Sequence, residues 1–448
     1  MADIKEKLKQ LKKEREARSK TISKTIEKSQ SRYQKVEKTW EEIDKNEELS
    51  IKEKLQKLIN LTTEERETKV EPPAFEPLER EPLQLYENPY PLETKYGKIP
   101  LSLGLNVRGE ILSCLSRDPA FESLDLSSSL FIDLETSGLS GGAGIIPFLI
   151  GLGFYRNDRF NVVQYFLGDP AEEERLIEEL RKFFTEMEFQ SVVSFNGKVF
   201  DIPLLETRFI LHRQPLTLNE LPHLDFLFSA RSLWRHKHES CRLYHLAREI
   251  VQADRAEDIP SAEIPYRYFQ YLRTGNFTLM EPVLYHNQED ILSLLGLVIT
   301  GSMLFSEKCE EWVEDSRDFF GVGKIFENIG DLDKSASYFE RALEGDLSEE
   351  ISILAKKKLS YYFKKNRLWD RALALWKDMA SLDQLFSFRE LAMYYEHREK
   401  DLEEAKKIAE EGLAVSLGVS SFFESDFSYR LERLRRKIQR KKDNKKKE

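Results

Sequence analysis

Two carboxylates interrupt a run of apolar residues in the segment "FIDLETSGL", which spans residues 131–139. The apolar residues predict a buried β-strand, and side chains two positions apart on a strand share a face, so Asp133 and Glu135 must lie close together. Like charges at that separation are unfavourable unless a cation lies between them, and a hard divalent ion with oxygen ligands is the simplest candidate. The alternative is an acid pair on a solvated surface, which is the more common use of such a pattern.

Two further segments carry acids that could join this pair. The segment "SVVSFNGKVFDIPLL" predicts a buried strand, a loop through Asn196 and Gly197, and a helix that starts at Asp201, where an N-cap role is the alternative. In "LYHNQEDILSLLGL", His286 and Asp290 are four residues apart and share one face of a helix, as an ordinary surface pair would. Neither segment indicates a site by itself, but the three segments together supply several acids and a histidine.

Carboxylates and an imidazole in this combination match the needs of phosphodiester hydrolysis by two metal ions. Two Mg²⁺ or Mn²⁺ ions activate a water and stabilise the leaving oxygen, and the protein supplies mainly carboxylate ligands. A histidine nearby can take the proton of the water. Asp133, Glu135, Asp201 and Asp290, together with His286, fit these requirements.

The elements that would position these residues alternate between strands and helices from 101 to 305. The segment "IIPFLIGLGFYRNDRFNVVQYFLG" predicts a hairpin that turns at Asn157 and Asp158. The segment "DPAEEERLIEELRKFFTEM" predicts a helix that Asp169 caps, with Pro170 at its first position. Three early strands followed by alternating helix and strand predict an α/β domain with a mixed sheet.

The regions on either side of this domain have different compositions. Residues 1–65 are rich in Lys and Glu, with apolar residues three and four apart, which predicts an amphipathic helix or coiled-coil-like extension. The prolines of 66–100 predict an extended linker. Segments that start at Gly330, Asn366 and Lys400 resemble one another, which within 306–430 is typical of tetratricopeptide-like helical repeats. The repeats or the N-terminal helix could bind a protein partner, or the repeats could simply cover the preceding domain.

Composition limits the class of protein. The chain has 448 residues, of which 40% are hydrophobic and 33% charged, so it can bury at least one sizeable core. Its three cysteines form no CxxC pair, and no segment has the pattern of a signal peptide or a membrane span, so we expect a cytoplasmic protein that does not enter a membrane. The net charge of -10 is not typical of a nucleic-acid binder, but residues 431–448 form a basic tail that could touch a polyanion or only aid solubility.

Candidate contacts to nucleic acid lie in three places. The segment "RSLWRHKHESCR" places Arg231, Trp234 and Arg235 close together, which would suit phosphate binding with one aromatic side chain for base stacking, although a basic surface loop explains it nearly as well. Asn196 is a further candidate, in the loop before Asp201. Glycines in "TSGLSGGAGIIP" would let backbone amides approach a phosphate, or would serve only as a flexible connection.

These motifs resemble a known group of enzymes. The segments "FIDLETSG", "SFNGKVFDIPLL" and "HNQEDILSL" look like the three exonuclease motifs of the DEDD group of RNase H-like nucleases. The segments "LDFLFSARSLWR", "SCRLYHLAREI" and "DIPSAEIPYRYFQYLRTGNF" more closely resemble the YprB-type bacterial family of predicted RNase H-like exonucleases, and the resemblance covers roughly 85–305. Several members of that family also carry a tetratricopeptide-like region.

The resemblance implies an RNase H-like mixed sheet flanked by helices, with the four acids as metal ligands. It also implies that the backbone of Thr136 lies near the terminal nucleotide. One departure concerns the base. In the histidine branch of the group the base lies five residues before the last Asp, where this chain has Tyr285, whereas His286 has the spacing of the tyrosine branch. Either residue therefore remains a candidate for the base.

The leading hypothesis is a metal-dependent nuclease that acts on DNA or RNA as a 3′ to 5′ exonuclease. A structure-selective endonuclease would use the same carboxylate scheme. The rival from another class is a non-catalytic adaptor that binds nucleic acid and protein. A pure binder has no use for a cluster of repelling acids, which favours the enzyme.

Overall fold

A computed structural model describes residues 82–138, 144–255, 258–306 and 309–445. The helical extension predicted for 1–65 and the first part of the predicted linker lie outside the described residues, as does the glycine-rich stretch 139–143. The bounds and contacts that follow refer to the described part of the chain.

A six-stranded mixed sheet forms the centre of the α/β domain, as predicted. In chain order the strands are β1 Leu83–Pro91, β2 Lys95–Tyr96, β3 Ile99–Pro100, β4 Ser129–Thr136, β5 Pro147–Arg156, β6 Arg159–Leu167, β7 Ser191–Ser194 and β8 His223–Asp225. The sheet order is β1-β6-β5-β4-β7-β8, while β2 and β3 pair only with each other. Strands β1, β6, β5 and β4 pair with their neighbours in antiparallel fashion. Strands β7 and β8 continue the sheet and run parallel to β4.

The hairpin between β5 and β6 turns where the sequence predicted. Arg156 pairs with Arg159, so Asn157 and Asp158 form a two-residue loop, and both have φ of 54°. Two consecutive left-handed residues are the requirement of a type I′ turn, whose twist matches that of the flanking strands, and Asn and Asp tolerate this conformation. This hairpin places β5 beside β4.

The linker predicted for 66–100 needs a correction. Leu83–Pro91 is extended, as its prolines require, but it pairs along its whole length with β6 rather than connecting two domains freely. Pro89 and Pro91 are compatible with this because β1 is the edge of the sheet, where a missing amide donor costs no ladder hydrogen bond. The proline content thus indicated the backbone conformation correctly and concealed the pairing.

Helices cover both faces of the sheet. They are α1 Gly109–Ser116, α2 Glu173–Met187, α3 Asp201–Leu211, α4 Phe226–Trp234, α5 Leu243–Leu246, α6 Ile264–Thr274 and α7 Glu281–Met303. Phe131 packs into a core with α4 and α7, whereas Ile132 and Leu134 pack into a second core with α2 and α3. Because strand side chains alternate, Asp133 and Glu135 lie on the face that α7 covers.

Helix α7 crosses the sheet against β4 and β5 and is apolar over most of its length. Ile291, Leu294 and Val298 are fully or almost fully buried, so the helix is fixed by its packing and not by surface contacts. In the part of the chain that the structure describes, no helix combines the length and apolar character that crossing a bilayer requires.

The C-terminal region consists of helices that pack against their neighbours in sequence. They are α8 Ser316–Ile329, α9 Leu332–Leu343, α10 Glu349–Lys365, α11 Trp369–Ala380, α12 Leu385–Tyr394, α13 Leu402–Ser416 and α14 Ser421–Lys445. The three segments that resemble one another form α9, α11 and α13, and each buries an alanine, Ala336, Ala372 and Ala405 respectively. A small side chain at these positions lets neighbouring helices approach closely.

The basic tail predicted for 431–448 is also corrected. Residues up to Lys445 belong to α14, whose Leu431 and Leu434 are buried against the preceding helices. Arg433 and Lys437 form ion pairs with the buried side chain of Glu396. The apolar positions lie at helical spacing, but the many Lys and Arg residues between them gave the segment the composition of a free tail.

Candidate active site

Asp133 and Glu135 lie near the C-terminal end of β4, where the pairing register with β5 shifts between Glu135 and Thr136. The Glu135 side chain is only 12% exposed. Burial raises the pKa of both carboxyls, and repulsion from Asp290 raises that of Asp133 further. The two carboxyl groups are therefore buried together on one face of β4, as the strand periodicity predicted.

His286 and Asp290 face these acids from α7. His286 Nε2 lies 3.6 Å from Glu135 Oε1 and 3.4 Å from Asp290 Oδ2. One ligand atom each of Glu135, His286 and Asp290 lies within 4.8 Å of the others. Tyr285, the alternative candidate for the base, lies close enough to Tyr90 of β1 to affect the ionisation of its hydroxyl. The geometry thus places the histidine, rather than the tyrosine, next to the carboxylates.

Asp201 of α3 lies near Asp133, but it is not among the three residues whose ligand atoms lie within 4.8 Å of one another. It is the first residue of that helix, and the N-cap position is taken by Phe200, so Asp201 is not the N-cap. Burial raises the pKa of its carboxyl, and repulsion from Asp133 raises it further. A Cβ atom at Gly197 would lie 2.7 Å from Asp201 Oδ2, so the loop backbone packs directly on this carboxylate.

The donor set fits a divalent cation. It consists of carboxylate oxygens, which are the ligands that Mg²⁺ and Mn²⁺ prefer, with the imidazole of His286 beside them. Buried carboxylates need compensating positive charge, and among the described residues the cations paired with this group are His286 and Arg255. Two cationic side chains for four acids leave negative charge that a metal ion would neutralise.

Arg255 and Asp258 belong to the site although the sequence did not indicate them. Asp258 Oδ1 lies 2.6 Å from His286 Nδ1, and Arg255 Nη1 lies 2.6 Å from Asp290 Oδ1. Burial lowers the pKa of His286, but Asp290, Asp258 and Glu135 outweigh this and raise it to about 9. Arg255 also pairs with Asp258 at 2.5 Å, so a single guanidinium links the partner of the histidine to the last acid.

Asn287 and Gln164 hold Asp133 in place. Asn287 Nδ2 donates to Asp133 Oδ2 at 2.8 Å, and Gln164 Nε2 donates to Asn287 Oδ1 at 2.9 Å. Both amides are fully or almost fully buried. A Cβ atom at Gly151 of β5 would lie 2.2 Å from Asn287 Oδ1, so this glycine marks the close approach of α7 to the sheet.

Gly151→Ala tests this chain of contacts. We expect the substitution to lower the free energy of unfolding by about 1–3 kcal/mol, because the buried amide of Asn287 must move and has no empty space to enter. Denaturant unfolding of the full chain measures the change. Gly144→Ala is the matched control, since no atom of the described residues lies within 4 Å of a Cβ atom there. Equal unfolding midpoints for the two variants would contradict the prediction.

The predicted nucleic-acid contacts have different outcomes. Trp234 cannot stack on a base, because it is 1% exposed and packs against Phe226 with ring centroids 5.8 Å apart. Trp234 is the last residue of α4, whose inner face requires an apolar residue at this position, and the predicted stacking role was therefore wrong. Arg231 and Arg235 are exposed on the other side of the helix and remain candidates.

Thr136 is the last residue of β4, directly before the loop that follows this strand, and Asn196 lies in the loop that follows β7. Thr136 Oγ1 donates to the carbonyl oxygen of Gly138 at 2.8 Å. Asn196 has φ of 71°, and its backbone N–H donates to Asp225 Oδ1 at 2.7 Å. Since β4, β7 and β8 are parallel neighbours, these loops lie at the same edge of the sheet as the acids.

Comparisons with known proteins identify the family of this chain. A family model described as the RNase H superfamily matches residues 130–300. The chain is 32% identical to the YprB protein of Bacillus subtilis (strain 168) over 330 residues, which cover 72% of this chain and 78% of that protein. Among solved structures, a family B DNA polymerase from the hyperthermophilic archaeon Pyrobaculum calidifontis matches 45% of this chain and 29% of its own, with 15% identity and a TM-score of 0.32.

Proposed function

We propose that this chain, which belongs to the YprB family and carries an RNase H-like α/β domain, is a metal-dependent nuclease that hydrolyses phosphodiester bonds. The observation that carries the proposal is the convergence of acids from three separate segments beside one histidine. Burial of such a group is costly without a cation, and a fold that serves only for binding would gain nothing from it.

The residues of the site would divide the work as follows. Asp133, Glu135, Asp201 and Asp290 would hold two Mg²⁺ or Mn²⁺ ions, which when bound polarise the phosphate and make a water molecule more acidic. Asn287 keeps the Asp133 carboxylate facing the site through its 2.8 Å hydrogen bond. The ligands are therefore fixed before any ion arrives, which lowers the cost of binding it.

We assign the general-base role to His286. Its Nδ1 atom faces Asp258 at 2.6 Å, and its Nε2 atom lies beside Glu135 and Asp290 and 3.3 Å from Ser261 Oγ, where it would accept a proton from the attacking water. The high pKa of the imidazole is caused by these carboxylates, since burial alone would lower it. Neutralisation of the carboxylates by cations removes that cause and returns the pKa towards the range of a base at neutral pH.

The substrate side of the proposal is a nucleic-acid end. Val199 and Phe200, directly before Asp201, are 58% and 57% exposed, and an exposed aromatic ring beside the acids offers a surface on which a base can stack. Thr136 and Asn196 would contact the terminal nucleotide, and Arg231 and Arg235 the phosphate backbone. These features support contact with nucleic acid, and the activity that we propose is 3′ to 5′ exonucleolytic cleavage of DNA or RNA.

The C-terminal helices are proposed as tetratricopeptide-like repeats that bind a protein partner. The recurrence of α9, α11 and α13 with a buried alanine in each supports this assignment. We place the protein in the cytoplasm, on the basis of its cysteine content.

An end-labelled substrate assay tests the proposed activity. The full chain is incubated with single- and double-stranded DNA and RNA, labelled at either end, in Mg²⁺, Mn²⁺ or a chelator. We expect stepwise shortening from the 3′ end that stops when the chelator removes the metal, because the acids alone cannot stabilise the leaving oxygen. Asp133→Ala and Asp290→Ala serve as inactive controls. Intact substrates that bind equally well with and without metal would instead identify an adaptor.

A further inference from the structure

Cationic side chains converge where α1, α4 and α8 meet. Arg117, which follows α1, donates from Nη2 to Ser232 Oγ at 3.5 Å, and Asn328 of α8 donates to the same oxygen at 3.5 Å. Lys324 Nζ, one turn before Asn328, lies 3.1 Å from His236 Nε2. Arg235 follows Ser232 by three residues and is exposed. In the described part of the chain, Arg117, Arg235 and Lys324 make no ion pair with an acid.

This convergence is fixed by backbone contact between the two domains. A Cβ atom at Gly321 of α8 would lie 2.3 Å from the carbonyl oxygen of Leu233 and 2.7 Å from its Cα atom, so the two helices touch without an intervening side chain. Lys324 is three residues beyond this point on α8, and Arg235 is two residues beyond it on α4. The packing of the two helices therefore fixes the backbone positions from which these cationic side chains extend.

The same junction contains a structural cation with very different surroundings. The Lys237 side chain is 7% exposed, and its Nζ lies 2.9 Å from Asp318 and 2.8 Å from Glu314. Asp318 of α8 and Glu314, which precedes this helix, thus neutralise the buried charge of Lys237. Among the described residues, no acid forms an ion pair with Arg117, Arg235 or Lys324, and the acid near Lys324, Glu327, pairs instead with Lys358.

Positive side chains outnumber negative ones around Lys324. Burial, together with Lys358, Arg235 and Arg117, lowers the pKa of Lys324. Glu327 is the acid in this group, and Lys358 pairs with it at 2.5 Å. Burial and the cations also lower the pKa of His236 to about 4, so its neutral ring accepts a hydrogen bond from Lys324. Like charges held together in this way are relieved by an anion.

We propose that Arg117, Arg235 and Lys324 form a phosphate-binding site, the junction notch, that takes a phosphate of a nucleic-acid backbone. Two guanidinium groups and an ammonium group suit the oxygens of a phosphate, because each guanidinium can donate two parallel hydrogen bonds. The notch lies on the face of the sheet that α4 and α7 cover, which is also the face of Asp133 and Glu135.

The notch is separate from the carboxylates. Helix α4 begins after Asp225, at the edge of the sheet where the acids lie, and Arg235 directly follows its last residue. At about 1.5 Å per residue the notch is roughly 15 Å further along the helix axis. At about 3.4 Å per stacked nucleotide, four or five nucleotides span that distance, so the notch would hold a strand some way from the bond that is cut. The identification of the ligand as a nucleic-acid strand rests on the proposed nuclease function. The ability of the notch to bind a phosphate group does not depend on that function.

Salt-dependent binding tests the notch. Arg117→Gln and Lys324→Gln are made in the full chain with Asp133→Asn, so that binding is measured without cleavage. For a single strand of about 20 nucleotides, we expect each change to reduce the slope of log affinity against log salt by about 0.7. At about 0.1 M salt, each change should weaken the affinity about fivefold, and the two changes together should weaken it about 25-fold. Lys182→Gln is the charge-matched control, because its helix α2 lies on the other face of the sheet and Lys182 pairs with Glu179.

Binding of pyrophosphate by the same variants separates the two sources of phosphate. If Arg117→Gln and Lys324→Gln weaken pyrophosphate binding and leave the oligonucleotide slope unchanged, the notch is a phosphate site for a free phosphorylated ligand. If the paired variant binds both ligands as the control does, the notch is refuted. Unfolding midpoints equal to the control show that the fold is intact. A wild-type chain that cleaves nothing would refute the proposed nuclease and leave these binding results to decide the notch alone.

Discussion

Replacement of Asp133 by asparagine is expected to lower kcat/KM for nucleic-acid cleavage by at least about a thousandfold, because metal ligation supports several kcal/mol of transition-state stabilisation. The same change is expected to stabilise the metal-free protein by about 0.5–2 kcal/mol, since a neutral amide replaces a carboxylate that is buried beside Asp290 and Glu135. The asparagine side chain can still accept the hydrogen bond from Asn287. Single-turnover cleavage and denaturant unfolding in a chelator measure the two effects.

The opposite signs of the two effects make this test specific. Loss of activity through misfolding would lower stability, whereas loss of a metal ligand raises it. Asp158→Asn, in the exposed β5–β6 turn, makes the same chemical change and should alter neither quantity. An Asp133→Asn chain that is less stable than wild type without metal would contradict the account of the carboxylate cluster.

The second large effect is expected at His286. His286→Gln should reduce the single-turnover rate about 10²- to 10⁴-fold, because it removes the proton acceptor 3.4 Å from Asp290. Tyr285→Phe is the control, since it removes a hydroxyl and keeps the ring. Metal affinity, measured by calorimetry, should change less in His286→Gln than in Asp290→Ala if the imidazole acts mainly on the proton. A large loss of rate in Tyr285→Phe with an active His286→Gln would reverse the assignment.

The parts of the site that could be predicted from the sequence are those that depend only on the spacing of residues within one strand or one helix. Asp133 and Glu135 share a face because they are two apart on a strand, and His286 and Asp290 because they are four apart on a helix. The hairpin turn at Asn157 and Asp158 was equally local. Each of these inferences needed only a short window of sequence, so the tertiary structure did not have to be known.

The remaining parts depend on contacts between distant segments. Asp258 meets His286 across 28 residues, and Gln164 meets Asn287 across 123. Asp258 lies outside any helix or strand, so no periodicity pointed to its orientation. The prediction that Trp234 stacks on a base was wrong for a related reason. Its neighbours in sequence are basic, and only the packing of α4 on the sheet shows which face of the helix is covered.

Strand β1 has a consequence for how this protein can associate with others. Its outer edge includes Pro89 and Pro91, which offer no amide hydrogen to an incoming strand, and the opposite edge, β8, is only three residues long. Sheet extension by a second polypeptide is therefore disfavoured at both ends. For the described part of the chain, we therefore expect partners to bind side-chain surfaces of helices and loops rather than to add a strand to this sheet.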